Sequence, residues 1–172
     1  MKKLFLVLIL LVQLFILTGC KSSLQDITIG DQYIFTIEED HYYIFFYKDG
    51  CSGCELVKPT ILEYAKGGKT KIYAVNLHPE GKNQSRIFRK FTEGNTGQGT
   101  NGDFYVNGAT KWTSLYIAST PSLIEIIVKT EKVEIKNEET GEYEIVEREV
   151  KKAYFIANGE KAINEFFASL DE

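Results

Sequence analysis

"FFYKDGCSGCELVKP", Phe45–Pro59, decides how the chain is read. It ends a continuous aromatic and β-branched run, "HYYIFFY" (His41–Tyr47), which fits a central strand buried on both faces. "KDG", Lys48–Gly50, is a turn signal. A helix is expected from about Cys51 through "CELVKPTILEYAK", with Cys54, Val57, Ile61, Leu62 and Ala65 on or near one face and "GGK", Gly67–Lys69, as its stop. Two cysteines thus open a helix at the end of a buried strand. Such a pair is a redox centre, half of a metal site or a structural staple, and the compartment bears on which.

The chain opens Met1-Lys2-Lys3, followed by "LFLVLILLVQLFIL", Leu4–Leu17, with Gln13 as its one polar residue. Fourteen residues are short of the roughly 20 needed to span a bilayer, and fit the apolar core of a secretory signal peptide. The following "LTGC", Leu17–Cys20, resembles the lipobox of bacterial lipoproteins. That resemblance implies removal of residues 1–19, diacylation of Cys20, and a tether over 20–26 that holds the remainder on the outer face of the cytoplasmic membrane. Loss of Lys2 and Lys3 lowers the basic count from 20 to 18 against 24 acidic residues, a net charge of −6. An acidic domain gains nothing electrostatically from nucleic acid or anionic lipid, so the lipid is expected to do the anchoring. A monomer with one core over about 150 residues is expected.

Outside the cytosol two cysteines usually form a disulfide, here Cys51–Cys54. A bond closing so small a loop constrains the unfolded chain little, which makes a poor staple and favours reactivity. A zinc site needs about four ligands. Beyond the pair only His41 and His78 are candidates, and both read as solvated loop residues, so no metal is expected.

Working outward, "DITIGDQYIFTIEED" reads as strand or a strand–helix mix, "TKIYAVNL" as a second buried strand and "QSRIFRKF" as a short helix. Gly94–Gly108 reads as a Gly/Asn-rich insertion. "SLYIASTPSLIEIIVKT" places a proline before another strand, with Trp112 and Tyr116 nearby as groove or core aromatics. Lys129–Lys152 alternates charged and apolar residues around Thr140-Gly141, a long, partly solvated hairpin whose charges oppose strand addition. "NGEKAINEFFASL" closes with a helix that Asn158 is placed to cap, its apolar face carrying Ala162, Ile163, Phe166, Phe167 and Leu170.

A cysteine at a helix start meets backbone N–H groups that stabilise an anion, and the thiolate is the nucleophile. Cys51 is therefore expected to attack and Cys54, one turn on, to resolve. Asp49 and Glu55 oppose that charge, while Lys48 and Lys58 favour it.

The same stretch resembles the thioredoxin active site: apolar strand, short turn, C-x-x-C opening a helix, and Pro59 where that family kinks its helix. "STPSLIEI" resembles the family's second signature, which implies that Thr120-Pro121 is cis, lies against the cysteines and pairs its backbone with substrate. The resemblance covers roughly Tyr42–Leu170. It implies an α/β, thioredoxin-like fold over 27–172: a central mixed β-sheet flanked by helices on both faces, here with an extended charged β-hairpin. Lipoproteins with such folds, among them bacteriocin-transport accessory proteins, are similar in layout. Three positions depart from thioredoxin. Gly50 replaces a tryptophan, Ser52-Gly53 replaces Gly-Pro, and Phe45 stands where a buried aspartate takes the resolving thiol's proton. Glu125 is a candidate replacement for that acid.

The expectation is a lipid-anchored extracytoplasmic thiol–disulfide oxidoreductase acting on exported proteins, with no cofactor beyond the Cys51–Cys54 disulfide and with a redox partner to reset it. Its direction is open. The rival is a non-catalytic accessory lipoprotein that binds an exported peptide or a transporter.

Overall fold

The computed structural model describes residues 23–68, 70–88, 106–138 and 140–172. The expected signal segment, Cys20, and positions 89–105 lie outside the described residues. Four strands form one mixed sheet: β1 (His41–Tyr47), β2 (Ile72–Asn76), β3 (Ser122–Lys136) and β4 (Tyr143–Asn158), in the order β2-β1-β3-β4. β1 runs parallel to β2 and antiparallel to β3, and β3 runs antiparallel to β4. Among the described residues three helices accompany them: α1 (Leu24–Ile27), α2 (Ser52–Lys66) and α3 (Glu160–Ser169). The parallel β1–β2 pair needs a crossover, and α2 supplies it.

After the exposed His41, β1 is aromatic or β-branched from Tyr42 to Tyr47, and that stretch is buried on both faces. Tyr43, Phe45 and Tyr47 point to one side, against Cys54, Val57 and Ile61 of α2 and Ile163 and Phe167 of α3. Tyr42, Ile44 and Phe46 point to the other, with Ile34, Leu77, Ile87, Leu115 and Ile124. Successive strand residues alternate faces, so one seven-residue strand serves both layers.

Among the described residues the two longer helices lie on one face, where the expectation has helices on both. α2 and α3 share a face, joined by Thr60 Oγ1 donating to Asn164 Oδ1 (2.9 Å) and Tyr64 Oη to the Phe167 carbonyl (2.7 Å). Among the described residues the other face is covered by irregular chain, with 3₁₀ turns at Asp31–Tyr33 and Trp112–Ser114. The helix expected over Gln84–Phe91 is absent from its described part. Phe88 N–H closes a turn onto the Ser85 carbonyl (3.2 Å), and Phe88 bridges to Ile117. A further difference lies at the start. Part of the expected tether folds onto the domain, with Leu24 buried beside the α2 core and Thr28 bridged to Ala74. Thr28 Oγ1 donates to the Leu24 carbonyl (2.6 Å), so the hydroxyl of Tyr47, 3.0 Å away, is the donor to Thr28.

β3 outruns β1. Residues 122–127 pair with both neighbours, while 128–136 pair with β4 alone and form the charged ribbon. Its faces carry the Val133–Val146 pair and the Lys152–Glu131 ion pair, and Tyr143 and Ile145 stand in solvent near the tip.

Two buried tyrosines set the alkaline limit of this fold. Burial, then the neighbouring Tyr73, pushes Tyr42 well above the ordinary tyrosine range, and its hydroxyl donates to the Ile34 carbonyl at 2.5 Å. Burial, then the charge of Glu125 and a hydrogen bond to it, pushes Tyr43 up to about 12. Below the unfolded value of about 10 both states keep the proton and the stabilisation is complete. Between about 10 and 12 the unfolded tyrosines ionise first, and stability is lost as pH rises. Denaturant titrations should give a flat stability up to about pH 10 and a fall above it, shallower in Tyr43→Phe. An unchanged slope in that variant would contradict this account of Tyr43.

Candidate functional site

The site forms where β1 ends and β3 begins. Their antiparallel register sets Phe46 opposite Ser122, so the chain leaving β1 and the chain entering β3 meet at one end of the sheet. Gly50 has φ +70°, a left-handed turn that a side chain would strain. That requirement accounts for glycine at this position. Cys51 follows as the N-cap of α2, one position earlier than a first-turn residue.

Cys51 and Cys54 form a disulfide (S–S 2.10 Å, Cα–Cα 5.2 Å). Cys51 is 8% exposed and Cys54 1%, so Cys51 is the more accessible sulfur. Two donors reach Cys51 Sγ: the Cys54 backbone N–H at 3.2 Å and the Thr120 hydroxyl at 3.5 Å. The first is the helix-terminus effect expected from sequence. The second goes beyond the sequence expectation, which gives Thr120 a backbone role. The Thr120–Pro121 peptide bond is cis. A Cβ added at Gly53 would lie 3.3 Å from Pro121 Cδ, so the C-x-x-C turn and the proline are in close approach, and glycine between the cysteines permits it.

The nearby charges are accounted for by their partners. Asp49 accepts from Asn76 Nδ2 (2.9 Å) and from the Glu80 backbone N–H (2.6 Å), which ties the β1–α2 turn to the chain after β2. Glu55 pairs with Lys58 at 3.4 Å. Lys48 lies 5.8 Å over the Phe88 ring. The structure does not bring Glu125 to the cysteines. It sits opposite Tyr43, four residues up β1 from Tyr47, about 13 Å along the strand. Its carboxylate contacts His41 Nε2 at 2.7 Å, and, after burial, its charge raises the pKa of Tyr43. His41 is therefore the first residue of β1 with a carboxylate partner, not a loop histidine.

Trp112 packs half-buried on the face opposite α2, and Tyr116 is buried. No group of three or more His, Cys, Asp and Glu side chains comes together among the described residues. A separate cleft of about 300 Å³ opens at the other end of the sheet, lined by His41, Tyr43, Tyr64 and Lys71 among others. His41, Tyr64 and Lys71 there already have partners in Glu125, Phe167 and Asp171, and Glu39.

Sequence reasoning missed Asn158. Gly159 is the N-cap of α3, and the Asn158 side chain turns away from that helix to place its amide nitrogen near Ser119 Oγ (2.7 Å), Ser122 Oγ (2.7 Å) and the Pro121 carbonyl (3.1 Å), three acceptors that share its two hydrogens. Its position beside a helix start suggested a cap. Only the strand register places it opposite Ser122.

Comparison with protein-family models, with curated proteins and with solved structures finds no match.

Reduced, this arrangement stabilises negative charge on Cys51 through an N–H, an O–H and the α2 terminus. Thr120→Val keeps the shape and removes the O–H. It should slow alkylation of reduced Cys51 by roughly three- to tenfold below the pH of thiol ionisation and move the midpoint of the rate–pH profile upward. An unmoved profile would mean that the hydroxyl does not act on the sulfur.

Proposed function

We propose that this chain is a membrane-anchored, extracytoplasmic thiol–disulfide oxidoreductase of thioredoxin-like architecture. The observation that carries the reading is one arrangement: a cysteine pair at the N-terminus of α2, its outer sulfur facing a cis-proline turn. The order β2-β1-β3-β4 with α2 and α3 on one face supports the thioredoxin-like part. The lipobox-like Leu17–Cys20, after an apolar run too short to span, supports a diacylated Cys20 and an extracytoplasmic domain.

In this reading the Cys51 thiolate attacks one sulfur of a substrate disulfide. The substrate S–S bond breaks, its other sulfur leaves as a thiolate that takes a proton from solvent, and a Cys51–substrate disulfide forms. Cys54, having lost its proton, attacks Cys51 Sγ and expels the second substrate thiolate, which is protonated in turn. Two electrons have passed from the pair to the substrate, and a dithiol redox partner restores the pair. Run backward, the same steps donate a disulfide to an exported dithiol. Thr120 and Pro121 hold the substrate strand against Cys51.

Donors at Cys51 Sγ favour the reduced pair and so oxidising power. Equilibration with glutathione should give a midpoint less negative than the about −270 mV of thioredoxin. In membranes, Cys54→Ser should accumulate mixed disulfides on a non-reducing gel while Cys51→Ser forms none, and Cys20→Ser should lose the lipid and leave the membrane fraction. A pair that never cycles, with both active-site variants silent, would leave an accessory binding lipoprotein as the better reading.

A further inference from the structure

The Thr120 hydroxyl acts on Cys51 only while the turn that carries it is held still, and one side chain does much of that holding. Asn158, the last residue of β4, lies opposite Ser122 in the β3–β4 register. Its amide nitrogen is within hydrogen-bond reach of Ser119 Oγ, Ser122 Oγ and the Pro121 carbonyl. The network fixes which way that amide faces. The Pro121 carbonyl can only accept, and the Ser122 hydroxyl spends its own hydrogen on the Ser119 carbonyl at 2.8 Å. Both therefore need a donor, and the Asn158 nitrogen is one. The Gly159 N–H gives the Pro121 carbonyl a second donor at 2.9 Å. Ser122 is buried at 3% exposure, so deleting the amide strips a donor from a site with little water to replace it.

We infer that Asn158 is a positioning residue for the redox pair: it clamps Ser119, Pro121 and Ser122 on both sides of Thr120 and so holds the Thr120 hydroxyl at Cys51 Sγ. The inference rests on the oxidoreductase reading and adds a residue that contacts neither cysteine. It also separates two duties at the junction of β4 and α3, with Gly159 starting the helix and Asn158 serving the active-site turn.

The test is a double-mutant cycle on the reduced full-length protein in detergent, following alkylation of the Cys51 peptide by mass spectrometry across pH. Asn158→Ala should slow alkylation by roughly three- to tenfold below the pH of thiol ionisation and raise the midpoint of the profile, as Thr120→Val does. In the Thr120→Val background the same Asn158→Ala change should add less than about twofold. An Asn158→Ala protein that melts lower with an unmoved profile overturns the inference in favour of a purely structural role. A full effect that persists without the Thr120 hydroxyl overturns it as well. If Asn158→Ala does not fold, Asn158→Ser, too short to span all three acceptors, takes its place in the cycle with the same outcomes. Wild-type Cys51 that alkylates like an ordinary solvent-exposed thiol would sink the oxidoreductase reading itself, whereas a reactive wild type with a silent Asn158→Ala sinks the clamp alone.

Discussion

The pairing of β1 with β3 is the constraint on which the rest of the molecule depends. β1 is sealed on both faces, so its position in the sheet is not negotiable: a slip of one residue would exchange the whole apolar set between two differently shaped layers. With Phe46 fixed opposite Ser122, the four residues that lead to Cys51 and the two that precede Ser122 emerge side by side. The cysteines and Thr120-Pro121 are 69 positions apart in sequence at their closest bond, and they meet because one strand pair leaves them no other place. The N-terminal segment reinforces the same end of β1 through the Tyr47–Thr28 hydrogen bond.

The electrostatics of the site follow from what each charge is already doing. Judged by sequence proximity, Asp49 and Glu55 oppose a thiolate at Cys51. In the structure Asp49 spends both oxygens on Asn76 and the Glu80 backbone, and Glu55 turns to Lys58. The groups that do reach Cys51 Sγ are neutral donors. Cys54 is placed differently, at 1% exposure among Phe45, Val57, Ile61 and Leu123. Charging a sulfur there is costly. The asymmetry between the two thiols therefore arises from burial and from donors.

Much of this was legible in the sequence where the signal is local. The apolar run His41–Tyr47, the Lys48–Gly50 turn, the α2 periodicity with its Gly67 stop, the hairpin around Thr140-Gly141 and the apolar face of α3 each depend on neighbours a few residues away. The cysteine pair and Thr120-Pro121 were singled out by motif. What failed was long-range. Glu125 could not be placed until register put it opposite Tyr43, and Asn158 could not be told from a helix cap until register put it opposite Ser122. The described part of the layer opposite α2 was hard to read for a related reason. Its described segments carry apolar residues without helical period, and they cover the sheet as turns because Ile34, Leu77, Ile87, Leu115 and Ile117 need burial, not because they favour any regular element.

The hairpin shows how far one register can be made to serve two ends. β3 and β4 stay paired from Ser122–Asn158 at the Pro121 turn to Lys136–Tyr143 at the tip, with one irregularity, between Leu123 and Ile124. That irregularity leaves Phe155 opposite Ile124 but Ala157 opposite Leu123, so β4 carries an extra residue there. Without it the count along β4 would shift by one, and Ala157, with a methyl group in place of an amide, would face Ser122. A single bulge near the base of the ribbon therefore decides whether the Pro121 turn is held by a side-chain donor. The solvated part of the ribbon is under no such demand. Its edges are lined with Lys, Glu and Arg, and charges at an exposed edge oppose the pairing with other chains that the open backbone would otherwise invite. One element thus carries a tightly specified base and a loosely specified tip, and the difference lies in whether β1 is there to pair with it.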